Sequence, residues 1–156
     1  MTELHGCPVT ESRGQEVIHP TREQYLAVVK ALADEGYTMA LDVCGVDYLQ
    51  YMGRPLPDGI VPERFEVVVQ LLDIVNRRRT RVRVQVPESD PVIPSLFDLH
   101  PGVEASERET YDMFGIEFDG HPDLTRILMP EDWDGHPLRK DYAIGAIPVQ
   151  FKEAHA

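Results

Sequence analysis

Two segments in which apolar and polar residues alternate, separated by a short break, constrain the fold more than any other feature of this sequence. Apolar residues recur at every second position from Phe65 to Leu71, and after a break near Asn76 the segment 81–86 reads Arg-Val-Arg-Val-Gln-Val. A period of two places successive side chains on opposite faces of a strand. We therefore predict an antiparallel hairpin with one buried face and with arginines along the other.

The segment before the hairpin is predicted to contribute a helix and a further strand. Thr21-Arg22-Glu23-Gln24 has the form of a capping box, in which the first and fourth side chains bond each other's backbone amides. Apolar residues then follow a helical stripe and Gly36 is a natural stop, so we expect a helix over residues 22–35. Residues 37–44 are a candidate strand, and the stretch rich in Gly and Pro that follows, through Gly59, is predicted to be a loop.

The segment after the hairpin is predicted to be helical in part. Residues 95–111 are expected to hold two short helices separated near Pro101-Gly102. Ser106-Glu107-Arg108-Glu109 has capping-box form, and the helix that it opens is expected to run through Phe114 and to end at Gly115. On this helix Arg108 and Asp112 are four residues apart and are placed to pair, and an isolated helix of this kind usually presents a solvated charged face.

This order of elements indicates an α+β fold, with helices packed on one face of a small mixed sheet and an extended irregular segment at the C-terminal end. A chain of 156 residues fits one domain. We divide it into an N-terminal tail over residues 1–20, an α+β core domain over residues 21–105, and a last helix with its extended segment over residues 106–156, which belongs to the same domain.

Charge and composition exclude several classes of function. The net charge of -12 disfavours nonspecific binding to nucleic acid and to anionic lipid, and no apolar run approaches the ~20 residues that span a bilayer. The first twenty residues lack the features of a secretory signal and contain acids that argue against a mitochondrial presequence, so a bacterial cytoplasm is the simplest location. Cys7 and Cys44 form no Cys-x-x-Cys pair and are interpreted as free thiols, Cys44 as a buried one.

The tetrapeptide Asp-Gly-His-Pro occurs twice, at residues 119–122 and 134–137. A residue before proline is pushed out of the helical region, and Asp-Gly is a strong turn signal. His121 and His136 are therefore predicted to occupy two copies of one backbone corner.

Two other functions remain open from the residues alone. A metal-dependent hydrolase has suitable ligand types in His100, His121, His136, Asp112, Asp123, Glu131 and Asp132, but their spacing places no two histidines on one helical face. An RNA-binding module has the arginines of residues 77–83, but these lack interleaved aromatic side chains. For the hairpin, an edge protected by charge or a contact with a partner is the favoured interpretation.

One continuous stretch, residues 107–142, closely resembles a family signature. It contains Glu-Arg-Glu, Tyr-Asp and Phe-Gly-Ile, then Gly-His-Pro, Arg-Ile-Leu-Met-Pro-Glu-Asp-Trp, and finally Gly-His-Pro-Leu-Arg-Lys-Asp-Tyr. These elements are similar, in this order, to the signature of the 30 kDa subunit family of the proton-translocating NADH:quinone oxidoreductase, respiratory complex I. The resemblance extends through Asn76-Arg77-Arg78 and Ile93-Pro94-Ser95-Leu96 and covers about two thirds of the chain.

The resemblance implies a subunit of the hydrophilic arm that holds no cofactor, metal or catalytic residue of its own, with the flavin, iron–sulfur clusters and quinone in other subunits. The implied partners are subunits D and B and the ferredoxin-like cluster subunit, with no nucleic acid and with membrane contact only through partners, at the cytoplasmic face of a bacterial cell membrane. A membrane-bound hydrogenase or a coenzyme dehydrogenase complex that uses the same fold is the alternative. The residues implied to form the partner interface are Glu107, Arg108, Glu109, Tyr111, Asp112, Gly115, His121, Pro122, Arg126, Pro130, Glu131, Asp132, Trp133, His136, Pro137, Arg139, Lys140, Asp141 and Tyr142.

Overall fold

A six-stranded mixed sheet, two α-helices and a small second sheet make up the fold. The computed structural model describes residues 2–143 and 145. In chain order the elements are β1 (Thr2–Leu4), β2 (Cys7–Ser12), β3 (Gln15–Ile18), α1 (Arg22–Asp34), β4 (Met39–Asp47), β5 (Phe65–Asp73), β6 (Arg78–Val86), β7 (Val92–Pro94), a 3-10 turn (Pro101–Val103), α2 (Glu104–Phe114) and β8 (Glu117–Asp119). The main sheet has the order β1-β2-β3-β6-β5-β4, and β7 pairs with β8 in parallel. Together they confirm the predicted α+β class.

The predicted hairpin is confirmed as the centre of the sheet. β5 and β6 pair antiparallel from Phe65 opposite Val86 to Asp73 opposite Arg78, without a register shift. Valines and leucines of one face are fully buried, whereas Arg81 and Arg83 of the other face are half-buried. The alternation of the sequence therefore gives the correct register and the correct inner face.

Helix α1 covers the apolar face of this hairpin. Its N-terminus is closed by the predicted capping box, in which the Gln24 amide donates to the Thr21 hydroxyl and the Gln24 side chain accepts from the Thr21 amide. Tyr25, Val28, Val29 and Leu32 are buried in the same cluster as the core valines of the sheet. The helix ends one residue before the predicted boundary, and Gly36 follows with a φ of 108°.

The predicted N-terminal tail requires a correction, since residues 2–18 form three strands of the main sheet. β1, β2 and β3 pair as consecutive antiparallel strands, and β3 then pairs parallel with β6, with Ile18 opposite Val82. Cys7, Val17 and Ile18 are buried, and this apolar contact orders the segment. Short strands with interspersed acids gave only a weak period of two, which is why the sequence pattern did not reveal them.

The helical prediction for residues 95–111 is correct only in its second half. No helix forms over residues 95–100, and a single α-helix starts at Glu104, directly after the 3-10 turn that Pro101 opens. Ser106 lies inside α2, where its hydroxyl donates to the Val103 carbonyl and makes no cap. Gly115, at a φ of 73°, ends the helix as predicted.

Helix α2 packs closely on the edge strand β4. A Cβ atom built on Gly45 would lie 2.7 Å from Phe114 Cδ2 and 2.9 Å from Thr110 Cγ2, so only glycine permits this approach. The Thr110 hydroxyl also donates to the Val43 carbonyl. Cys44, between these contacts, faces the opposite side and is exposed, which corrects the prediction of a buried thiol.

The chain after β8 is irregular, as predicted. Residues 120–143 contain neither helix nor strand and lie on the ends of α2 and of the sheet. The end of the predicted segment 106–156 lies outside the described residues. None of the helices in the described part of the chain is long and apolar enough to span a membrane.

Candidate functional site

Two of the four acids of α2, Glu107 and Asp112, are internal anchors, contrary to the expected solvated face. Glu107 is fully buried, and its carboxylate accepts from the Ser95 hydroxyl and from the Leu96 amide, the latter at 2.8 Å. Burial raises the pKa of Glu107, although these two hydrogen bonds oppose that shift. Glu107 therefore ties α2 to the segment that follows β7.

Asp112 fixes the backbone of residues 126–129, which lie in the irregular part of the signature. We name this irregular part, residues 120–142, the signature segment. One of its carboxylate oxygens accepts from three successive amides, those of Ile127, Leu128 and Met129, at 3.1, 2.7 and 2.9 Å. The other accepts from Arg126 Nη1 at 2.7 Å. Successive amides that converge on one anion form a nest, here occupied by a side chain of the same chain.

The surroundings of Asp112 favour its ionised form. Its burial works to raise its pKa, but the amides of Met129, Leu128 and Ile127 and the Arg126 guanidinium together lower the pKa of Asp112 below its ordinary value. Arg126 therefore pairs with Asp112, whereas the predicted pair of Arg108 with Asp112 does not form. Arg108 instead pairs with Glu104 and donates to the Thr125 and Arg126 carbonyls.

The two histidines of the repeated tetrapeptide are corner residues. Gly120 and Gly135, which precede them, have φ angles of 83° and 84°. His121 Nδ1 accepts from the Asp123 amide, and its Nε2 must then donate to the Glu104 carbonyl at 3.1 Å. His136 Nδ1 donates to the Asp112 carbonyl at 2.9 Å, so each ring holds one corner against α2.

The two imidazoles are held at separate places along α2. Glu104 and Asp112, whose carbonyls hold the two imidazoles, are eight residues apart on α2, or roughly 12 Å along its axis. Within residues 2–143 and 145, no group of three or more His, Cys, Asp or Glu side chains could hold an ion. Burial also lowers the pKa of His136, which is consistent with a neutral ring that serves as a hydrogen-bond donor.

His136 and Arg139 of the signature segment pack against Gly115, in the turn that follows α2. A Cβ atom on Gly115 would lie 2.6 Å from His136 Nε2 and 2.7 Å from Arg139 Nη2, and the φ of 73° also favours glycine. Arg139 Nε donates to the Phe114 carbonyl at 2.6 Å, and the Leu138 amide donates to the Met113 carbonyl at 3.0 Å. The last carbonyls of the helix are thus satisfied by the chain that returns to them.

A second anchor, centred on Arg64, was not predicted from the sequence. Arg64 lies directly before β5, is 5% exposed, and donates to both carboxylate oxygens of Asp47 and to both of Asp141. Glu88 also accepts from it, and Asp47 accepts the Lys140 amide at 2.8 Å. These hydrogen bonds raise the pKa of Arg64 and hold the end of the segment on the sheet.

No local pattern marks this anchor, because its three partners are 17, 24 and 77 residues away from Arg64. Burial works to raise the pKa of Asp47, yet the hydrogen bonds from Arg64, Lys140 and Leu49 lower it. The one feature of the sequence that indicates this anchor is the position of Arg64, a charged residue directly before the strongly alternating strand β5.

The remaining predicted residues lie on the outer side of the segment. Trp133 and Tyr142 are half-buried and joined by a hydrogen bond of 3.1 Å from the indole nitrogen to the phenol oxygen. Tyr111 and Pro137 are half-buried, and the others are exposed, namely Glu109, Pro122, Pro130, Glu131, Asp132, Lys140 and Asp141. Three apolar side chains that were not singled out are also exposed, Ile127 by 41%, Leu128 by 55% and Leu138 by 50%.

The arginines of the hairpin are partly neutralised within the chain. Arg83 pairs with the fully buried Glu66, and Arg78 pairs with Asp73. Glu66 lies opposite Gln85 in the hairpin register and is also 4.0 Å from Arg54. These pairs neutralise Arg78 and Arg83 within the chain, whereas Arg77, Arg79 and Arg81 have no ion pair among the described residues.

Comparisons with known proteins agree with the signature. A family model described as "Respiratory-chain NADH dehydrogenase, 30 Kd subunit" matches residues 18–147. An NADH-quinone oxidoreductase subunit of Saccharopolyspora erythraea is 46% identical over 149 residues, which are 94% of this chain and 56% of that protein. The chain spans little more than half the length of the first relatives, the next being the subunit of the same name from Nocardioides sp., with 58% of its length covered.

Solved structures share the fold. The trypsin-resistant fragment (1-134) of Nqo5 is 38% identical, with a TM-score of 0.67 over 76% of this chain and 90% of that fragment. A chain of the membrane-bound sulfane sulfur reductase, described as an archaeal respiratory membrane complex, has a TM-score of 0.73 over 96% of this chain and 88% of that chain. At 18% identity, the second structure supports the fold alone.

Proposed function

Because the chain belongs to the family of the 30 kDa subunit of respiratory-chain NADH dehydrogenase, we propose that it is a non-redox structural subunit of an NADH:quinone oxidoreductase. In this role it supports electron transfer from NADH to quinone, coupled to proton translocation, and holds no flavin, cluster, quinone or metal itself. Its place is in the hydrophilic arm at the cytoplasmic face of a bacterial membrane. Its partners there are subunits D and B, and the ferredoxin-like cluster subunit.

The observation that carries the proposal is the way in which Asp112 presents an apolar surface. The Asp112 carboxylate accepts hydrogen bonds from the amides of residues 127–129. In this conformation the Ile127 and Leu128 side chains are exposed. Leu138, on the returning chain, is exposed as well. Rigid apolar groups within a charged rim are typical of the centre of a permanent interface, because their conformation costs little entropy on binding.

The burial of the acids supports an indirect role for them. Glu107 and Asp112 are inaccessible, so a partner meets the surface that they shape and does not contact them. The exposed acids Glu131 and Asp132 and the half-buried Trp133 follow Ile127 and Leu128 within five residues of Leu128 in the sequence. We name the set Ile127, Leu128 and Leu138 the apolar triad of the interface.

Assembly in membranes tests this function. The tagged chain is expressed in its host, the membranes are solubilised mildly, and the co-eluting proteins are identified by mass spectrometry together with an NADH-to-quinone assay. We expect subunits B and D with inhibitor-sensitive activity. A hydrogenase or another dehydrogenase module in their place moves the chain to a related complex, and the chain alone contradicts the proposal.

The triad provides the sharper experiment. Ile127→Ser and Leu128→Ser together should lower the recovery of the complex at least about tenfold, since apolar groups at an interface centre contribute most of its stability. Val61→Ser is the matched control, because Val61 is 69% exposed and lies in a loop far from this segment in sequence. Equal recovery of the double variant and the control, with unchanged circular dichroism, rules out the triad as the interface.

A further inference from the structure

The tip of the β5–β6 hairpin carries exposed apolar and basic side chains that the internal structure of the chain does not use. Val75 is 89% exposed and Ile74 is 56% exposed. Turns usually hold Gly, Pro, Asn, Asp or Ser, whose conformations suit them, so two β-branched aliphatic residues serve no purpose in forming this turn. We name residues 74–79 the basic tip.

The basic tip is held in one conformation. Asp73 accepts from the Asn76 amide, from the Asn76 side chain and from Arg78, at distances of 2.7 to 3.0 Å. The hydrogen bonds from Asn76 and Arg78 lower the pKa of Asp73 to about 2, so this clamp stays ionised at neutral pH. The apolar pair is therefore presented on an ordered turn.

Three consecutive arginines, Arg77, Arg78 and Arg79, lie at this tip in a chain whose net charge is -12. Arg77 and Arg79 are exposed, and among the described residues neither makes an ion pair. Because β3 runs parallel to β6, the β2–β3 turn with Arg13 lies at the same end. Acids lie beside them as well. Glu16 lines a hollow of about 410 Å³ with Gly14, Tyr37 and Arg77–Arg79, Asp73 pairs with Arg78, and Arg78 also donates to the Glu35 carbonyl.

The basic tip is remote from the Arg64 anchor, which holds the end of the signature segment. Each strand of the hairpin has nine residues, so roughly 26 Å at about 3.3 Å per residue separate the tip from the end where Arg64 holds Asp141. A partner that covers the signature segment leaves the tip exposed unless a second surface meets it.

We propose that the basic tip is a second docking surface, which binds an acidic surface of another protein subunit. Ile74 and Val75 enter an apolar depression of that subunit, while Arg77 and Arg79 pair with carboxylates at its rim. The inference rests on the proposed membership in a multisubunit complex and adds to it a second contact surface, at the tip of the β5–β6 hairpin.

Charge and geometry favour this occupant over others. A second copy of the chain offers acids in its signature segment, but a contact between opposite ends of one chain is heterologous and extends into filaments unless it closes a ring. A membrane surface requires about four to eight basic residues and more apolar area than two aliphatic side chains supply. Nucleic acid is disfavoured by the net charge of -12.

Photocrosslinking in the assembled complex tests the proposal. The tagged chain carries p-benzoylphenylalanine in place of Val75, or in place of Leu128 as a reporter of the first interface, or in place of the exposed Val61 as background. After irradiation of the purified complex, crosslinked peptides are sequenced. We expect position 75 to reach an acidic peptide of another subunit, different from the peptide reached from position 128.

Reversing the charges of Arg77 and Arg79 is the second part of the experiment. Arg77→Glu with Arg79→Glu should lower the crosslink yield at position 75 at least about tenfold, since charge-assisted contacts at a rim set the association. Lys30→Glu, an exposed charge on α1, should leave that yield unchanged. Changing the crosslinked acids of the partner to lysine should restore the yield of the reversed variant.

The outcomes separate the two proposals. A crosslink from position 128 without one from position 75 above background overturns the second docking surface and leaves the first. Crosslinks from position 75 to a second copy of the chain, to lipid or to nucleic acid also overturn it. No crosslink from either position to another subunit overturns both.

Discussion

Two buried carboxylates on one helix, Glu107 and Asp112, differ in the direction of their pKa shifts because they differ in the donors around them. Glu107 accepts two hydrogen bonds from neutral groups, and burial raises its pKa despite them. Asp112 accepts three amides and a guanidinium, which together outweigh its burial. At the residue scale, the number and charge of the donors decide whether a buried acid is ionised.

The effect of Glu107→Gln on the unfolding free energy is predicted to depend on pH. A carboxyl whose pKa is higher in the folded than in the unfolded chain stabilises the fold less as pH rises from about 4, the unfolded value, through the folded value. Glutamine does not titrate, so the unfolding free energy of the variant relative to the wild type should be greater at neutral pH than at about pH 4. Urea unfolding at both pH values measures this difference.

A second substitution at the same position separates charge from hydrogen bonding. Glu107→Ala leaves the Leu96 amide without its acceptor, and we expect a loss of about 1–3 kcal/mol relative to Glu107→Gln at both pH values, because neither variant titrates at this position. A difference between Glu107→Gln and the wild type that does not change with pH would mean that Glu107 titrates alike in the folded and unfolded chains.

At the scale of elements, α2 organises both the segment before it and the segment after it. Its first turn receives His121 at the Glu104 carbonyl and holds Leu96 through Glu107, and its last turn holds residues 126–129 through Asp112. The irregular segment thus takes its conformation from a helix, without helix or strand hydrogen bonds of its own.

Asp112→Ala is predicted to destabilise the local structure of residues 126–129 more than the fold as a whole. The amides of Ile127, Leu128 and Met129 lose their common acceptor, and Arg126 loses its carboxylate. We expect a global loss of about 2–3 kcal/mol, since part of these groups regain water. Hydrogen exchange at the three amides should accelerate well beyond that of the β5 amides, and equal protection of both sets in variant and wild type would contradict the role of Asp112.

Gly45→Ala tests the contact between α2 and β4. The added methyl group would meet Phe114 and Thr110 at less than 3.0 Å, and overpacking of this kind costs about 1–3 kcal/mol. Gly53→Ala is the control, because nothing lies within 4 Å of its Cβ position, and it should be neutral or slightly stabilising. Thermal unfolding of the two variants gives the comparison, and equal midpoints would show that the helix can shift freely.

The elements differed in how far they could be predicted. The hairpin and α1 follow from local signals, the alternation from Phe65 to Leu71 and the capping box at Thr21. β1, β2 and β3 were missed because their order depends on pairing with β6, a contact across more than sixty residues in the register of Ile18 with Val82. The resemblance marked the correct segment of the candidate site, but the burial of Asp112 and the role of Arg64 arise from tertiary contacts that no spacing shows.

At the scale of the whole molecule, Arg64 connects the sheet, the segment after β6 and the returning C-terminal segment. Its guanidinium meets Asp47, Glu88 and Asp141, and it lies 4.9 Å from the Phe65 ring centroid, with Arg139 at 5.1 Å from the same ring. Such bidentate pairs require the planar fork of arginine.

Arg64→Leu is predicted to cost about 3–5 kcal/mol, because it leaves the buried Asp47 carboxylate without its counterion. Arg64→Lys keeps the positive charge but loses the planar guanidinium, so its stability should lie between that of Arg64→Leu and that of the wild type. Asp141→Asn should change stability by less than about 1 kcal/mol, since Asp141 is 54% exposed. Denaturant midpoints of the three variants test the order, and an Arg64→Lys variant as stable as the wild type would show that the fork geometry is dispensable.

The distance along the chain between the members of this anchor has a consequence for biosynthesis. Asp47 meets the Lys140 amide 93 residues later, and Arg64 meets Asp141 77 residues later. The N-terminal part of the chain leaves the ribosome first. β4, β5 and β6 can therefore emerge and pair before Asp141 reaches Arg64. The strands that receive the signature segment can therefore form before that segment leaves the ribosome, and the anchor closes only after Asp141 has emerged.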